Sequence, residues 1–116
     1  KSIKELYKDK KITALFQPHL YSRTSDFYKE FAQSLSLFDK VILVDIYPAR
    51  EEPIPGVTSK LIYDCLDADI EKSMCCRKDV IDCIEKEKNN IEVLVSLGAG
   101  DIENDILKMK EILENR

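Results

Sequence analysis

Val41-Ile42-Leu43-Val44-Asp45-Ile46-Tyr47-Pro48 opens with four consecutive aliphatic residues, three of them β-branched, and breaks off at a carboxylate. A strand with one wet face alternates apolar and polar side chains, so this unbroken run predicts a strand covered on both faces, as in a parallel sheet. Parallel neighbours need long crossovers, usually helical, and the flanking sequence must supply them. Upstream, Ile12-Thr13-Ala14-Leu15-Phe16 reads as a second buried strand. Between the two, Phe27, Phe31, Leu35 and Phe38 recur at helical spacing and are read as a core stripe. Thr24 or Ser25 is the expected cap of that helix, with Asp26 in its first turn.

The same logic extends to both ends. Ile3, Leu6 and Tyr7 share one helical face, and Lys8-Asp9-Lys10-Lys11 is a polar exit into the first strand. The stretch 47–56 holds three of the four prolines and cannot pair in a sheet, so it is expected to be a stiff, solvent-facing loop. Thr58 or Ser59 then caps a short helix reaching about Leu66, and a weak strand is expected near residues 72–76. Residues 78–88 place Val80, Ile81 and Ile84 on one side and charges on the other, as in an amphipathic helix. A last strand over residues 91–97 leads into Gly98-Ala99-Gly100-Asp101, and Ile102, Ile106, Met109 and Leu113 mark a closing helix. The sum predicts one α/β domain: a small Rossmann-like, three-layer fold with a mainly parallel sheet of about four strands in the order 3-2-1-4, flanked by helices.

Composition narrows the function. With 116 residues there is room for one hydrophobic core. A net charge of -4 argues against a nucleic-acid footprint, which needs a basic face, so any phosphate binding must be local. No apolar run approaches the roughly 20 residues of a membrane helix and no signal segment opens the chain, so a cytoplasmic location is expected. Cys65, Cys75, Cys76 and Cys83 form no CxxC pair, and one histidine cannot complete a common zinc set; they read as small, partly buried side chains, with no metal site. The chain begins without Met in what resembles the body of a helix, and is read as a fragment of something longer.

Three loops fall at the carboxyl ends of strands, where open α/β sheets bind ligands. The first, Phe16-Gln17-Pro18-His19-Leu20-Tyr21-Ser22-Arg23-Thr24, holds the only histidine, with Arg23 at the start of a helix. Guanidinium binds carboxylate or phosphate through two parallel hydrogen bonds, whereas His19 could be a base, a donor or a packing residue. The second carries Asp45, Tyr47 and Arg50; Asp45 could accept ribose hydroxyls or a cation, or cap a helix. Glu51 and Glu52 are read there as a solvated surface run. The third has Gly98 and Gly100 but lacks the third glycine of a dinucleotide fingerprint, so a tight turn with a capping Asp101 is the better reading.

Those three blocks, the second running from Asp45 to Val57 and the third from Leu97 to Ile102, resemble the carboxyl-terminal domain of UDP-N-acetylmuramate:L-alanine ligases, in the Mur ligase family. The resemblance implies a three-domain enzyme of peptidoglycan synthesis of which residues 1–116 are the closing domain, the UDP-sugar and ATPase domains lying elsewhere. It implies ATP, Mg2+, UDP-N-acetylmuramate and L-alanine as ligands of the whole enzyme. ATP would phosphorylate the muramic-acid carboxylate, and the alanine amine would attack the acyl phosphate. Carried over by position, His19 and Arg23 would be catalytic, facing the amino acid and the transferring phosphate. Tyr21, Asp45, Tyr47, Arg50, Gly98 and Gly100 would help to hold substrate or nucleotide. Where the family usually has an arginine this chain has Leu20, leaving the cationic contact to Arg23, either alone or with Arg50 assisting. No P-loop signature occurs in these residues, which fits an ATPase domain outside them. The competing readings are a free-standing nucleotide-binding module and a response-regulator-like domain; the latter needs acidic residues where the first strand ends in Gln17-Pro18-His19.

Overall fold

The computed structural model describes residues 9–97 and 105–115. Four strands, β1 (Ile12–Phe16), β2 (Lys40–Val44), β3 (Glu71–Cys75) and β4 (Val93–Leu97), form one parallel sheet in the order β3-β2-β1-β4. Helices α1 (Tyr21–Leu35), α2 (Lys60–Cys65), α3 (Val80–Glu87) and α4 (Ile106–Glu114) follow the strands in turn. The expected order 3-2-1-4 is the observed one. The helix expected around Ile3 and Tyr7 and the turn at Gly98 and Gly100 lie outside the described residues. No helix among the described residues is long and apolar enough to cross a membrane.

The uninterrupted run in β2 has a direct structural cause. Alternate residues of a strand point to opposite faces. Val41 and Leu43 pack with Ala14, Ala32, Leu35, Ile62 and Leu66 under α1 and α2. Ile42 and Val44 pack with Leu15, Val80, Ile84, Ile91 and Met109 under α3 and α4. Both faces are dry, so no position of the strand favours a polar side chain, and three layers result. β3 is one of the two edge strands and only partly buried, so Glu71, Lys72 and Ser73 are tolerated there and its sequence signal is weak. Lys11 and Lys40 meet Glu71 at the amino-terminal edge of the sheet, and Lys40 also pairs with Glu87.

Several boundaries move from their expected places. α1 begins at Tyr21, one turn before the expected cap at Thr24 or Ser25, so Asp26 falls in its second turn. Thr24 is buried inside the helix and donates its hydroxyl to the Leu20 carbonyl at 2.9 Å. The buried face runs through Thr24, Ala32 and Leu35, with Tyr28 and Phe31 packed beside it; Phe27 lies off that face and is 45% exposed, which corrects its assignment to the core. α2 starts after Ser59, whose side chain does not cap it: the Ser59 hydroxyl donates instead to the Val44 carbonyl, tying α2 to the end of β2, while Thr58 Oγ1 accepts from the Lys60 amide at 3.2 Å. The stretch 78–88 divides into a 3-10 turn, α3 and a second 3-10 turn. β4 starts two residues later than expected, although Ile91 is buried.

Thr13 is wholly buried in β1, and among the described residues its hydroxyl has no hydrogen-bond partner. A buried hydroxyl without a partner costs about 1–3 kcal/mol relative to an apolar isostere. Thr13→Val should therefore raise the thermal unfolding midpoint; a fall of several degrees in a melting curve would show that the hydroxyl is engaged.

Candidate functional site

The chain segments beyond β1 and β2 are stitched together three residues past the last strand residues. The Tyr47 amide donates to the Pro18 carbonyl and the Leu20 amide to the Tyr47 carbonyl, each at 2.8 Å, giving an isolated parallel bridge between His19 and Tyr47. The two rings stack with centroids 5.7 Å apart and planes 15° from parallel. Two residues read from separate loops are thus direct neighbours, and the His19 backbone is pinned on both sides. Gln17 donates its amide to the Leu97 carbonyl at 3.2 Å, so the end of β4 borders the same edge. This is the topological switch point, where β1 has β2 on one side and β4 on the other.

Backbone strain flanks the rung. Leu20 has φ 69° and Ala49 φ 52°, both in the left-handed region that side-chain-bearing residues avoid. Such conformations persist where surrounding bonds over-determine them, at a cost of about 1–3 kcal/mol each. At Leu20 the pinning bond is its own amide to Tyr47, and the turn it makes launches α1.

The amino terminus of α1 has no cap from its own segment; the carboxylate of Glu51 supplies one. Glu51 accepts from the Ser22 amide at 3.1 Å and from the Ser22 hydroxyl. The Ser22 hydroxyl and then its amide hold the Glu51 carboxyl below the usual carboxylate range, with smaller help from the Tyr21 amide and the His19 charge, against partial desolvation. The expected solvated run is corrected at this position. The electropositive helix end is already matched by an internal anion, so recognition of an external carboxylate or phosphate falls to side chains. Glu51 is hidden in the sequence because its partner is 29 residues away and the hydroxyls at Thr24 and Ser25 offer nearer caps.

Arg23 is exposed in the first turn of α1, its guanidinium carbon 5.8 Å from the Phe27 ring centroid. Among the described residues no carboxylate pairs with it. Arg50 is exposed in the neighbouring loop, and Tyr21 is half-buried at the helix start. The His19–Tyr47 stack and the Ser22–Glu51 bonds thus join the segments that carry Tyr21, Arg23 and Arg50. Asp45 is not part of that group: its carboxylate accepts from the Arg77 amide at 2.7 Å, capping the 3-10 turn after β3. It lines a cavity of about 260 Å3 with Thr58, Ser59, Met74, Cys75 and Cys76 on the β3 flank.

The chain is 62% identical over 99% of its length to the UDP-N-acetylmuramate–L-alanine ligase of Phocaeicola vulgatus, and covers 25% of that protein. It is 50% identical over 97% of its length to the ligase of the same name from Parabacteroides distasonis and 48% identical over 98% to that of Porphyromonas gingivalis, covering 24% and 25% of them. The chain is a homologue of these ligases. It spans about a quarter of the length of the curated relatives it matches. No family model matches it.

Within this ligase homologue, no group of three or more His, Cys, Asp or Glu among the described residues could hold a metal ion, so these residues do not fit a Mg2+ centre of their own. Cys65 and Cys76 are exposed, against the expectation of partial burial, while Cys75 and Cys83 are half-buried. Burial, and then a hydrogen bond with Cys83, push the Cys75 thiol up to about 12, which leaves it protonated and a poor nucleophile.

Proposed function

We propose that the chain is the carboxyl-terminal, closing domain of a cytoplasmic ATP-dependent ligase that joins L-alanine to UDP-N-acetylmuramate in peptidoglycan synthesis. One observation carries this reading: 62% identity, over 99% of the chain, to a relative that bears the ligase name. The His19 edge has the chemistry such a domain needs. Arg23 offers an exposed planar cation suited to two-point binding of a carboxylate or of a transferring phosphate. His19, held against Tyr47, offers an imidazole nitrogen of fixed direction to the incoming amino acid or to the leaving phosphate. ATP and Mg2+ are held mainly by the ATPase domain, where the metal offsets charge on the phosphates. Closure of this domain over that one would exclude water from a hydrolysable acyl phosphate and bring Arg23 and His19 to the reacting groups.

The test is ligation by the full-length protein, followed as UDP-N-acetylmuramoyl-L-alanine formed with ADP and phosphate. Product should require all three substrates. Residues 1–116 alone should fold, with the circular dichroism of an α/β domain, and form none. Absence of product from the intact protein, or ATP-dependent ligation by the fragment alone, would overturn the proposal.

A further inference from the structure

Glu51 joins two segments that each carry an exposed arginine at the adjoining position. Its own neighbour is Arg50, and its hydrogen-bond partner Ser22 is followed by Arg23. Cations carried on joined segments repel one another when they converge, and a carboxylate between those segments offsets that repulsion. Both Glu51 oxygens are engaged, one by the Ser22 amide and one by the Ser22 hydroxyl. An occupied carboxylate held below its usual range is a poor proton acceptor. We infer that Glu51 is a positioning residue, which through Ser22 fixes the spacing of Arg23 and Arg50 so that both reach one multiply charged anionic group of the substrate.

The inference rests on the ligase reading and adds a residue that acts through two others. A clamp of this kind is needed because, among the described residues, neither arginine has another anchor: Arg23 leans on the exposed Phe27 ring, and Arg50 follows the left-handed Ala49 in a proline-rich loop. The opposite view is that Glu51 is an incidental negative charge beside an anion site. On that view its neutralisation should tighten anionic substrates.

Full-length protein whose wild type ligates in the assay above separates the two ideas, and loss of wild-type ligation would count against the ligase reading alone. Glu51→Gln should lower kcat by about tenfold or more with little change in the unfolding midpoint, as misplacement of groups that bind the transition state does. Glu51→Asp, which keeps the charge, should recover part of that loss. Ser22→Ala should lower kcat in the same sense. Ser22→Ala combined with Glu51→Gln should be no worse than Glu51→Gln alone, because both remove one contact. A lower KM with unchanged kcat in Glu51→Gln would overturn the inference, as would additive losses in the double variant or a fall in the unfolding midpoint with wild-type kcat.

Discussion

Leu15→Ala should destabilise the domain by about 2–5 kcal/mol, the range found when a fully buried leucine is cut back to alanine. Leu15 is 0% exposed in β1, the strand that pairs with β2 on one side and β4 on the other. Its side chain sits among Ile42, Val44, Val80, Ile84, Ile91 and Met109, on the face covered by α3 and α4. Those neighbours belong to rigid strands and to helices packed from outside, so collapse into the space left behind is limited. Domains of this size are stable by only about 5–15 kcal/mol, so the loss is a large fraction of the total. Urea unfolding should show a lower midpoint with an unchanged slope. Leu37→Ala, at a residue 67% exposed beyond the end of α1, is the control and should stay within about 0.5 kcal/mol of wild type. Equal effects at the two positions would contradict the described core.

That contrast also shows where sequence and structure agree. The three-layer fold is legible because β2 has no wet face: four aliphatic residues in a row are compatible with few other environments, and the helical stripes on either side supply the layers. β3 is barely legible, since an edge strand carries Glu71, Lys72 and Ser73 without penalty. The start of α1 is masked in the sequence because hydroxyls at Thr24 and Ser25 mimic a cap, whereas the actual cap is a carboxylate from the next loop. The same mimicry conceals Glu51, since no local pattern exposes a contact created by the β1–β2 crossover. Asp45 was readable as a strand-end carboxylate but not as the partner of Arg77, because its direction depends on the 3-10 turn after β3. The pairing of His19 with Tyr47 needed strand order and register together: each residue was visible, but their stacking was not. The glycine turn at Gly98 and Gly100 lies beyond the described residues and keeps only its sequence reading.

Arg23→Ala in the full-length protein should lower kcat/KM by about 10²–10³, the loss seen when one preorganised donor to a developing anion is removed. Arg23 is exposed, belongs to neither core cluster, and among the described residues lies over the Phe27 ring alone, a contact worth about 0.5–1 kcal/mol at such a site. The unfolding midpoint should therefore barely move, and a large kinetic loss can be assigned to the site. With α1's amino terminus already matched by Glu51, the backbone cannot take over the missing charge. Arg50 is the one neighbouring cation of the β2 loop, so Arg50→Ala should give a smaller loss alone and deepen the loss when added to Arg23→Ala. Arg23→Lys keeps the charge but not the planar two-point geometry, and should fall between wild type and alanine. Wild-type kinetics in Arg23→Ala would remove this side chain from the reaction and shift the anion contact to Arg50 or His19; a loss confined to KM would make it a binding group that acts equally on substrate and transition state.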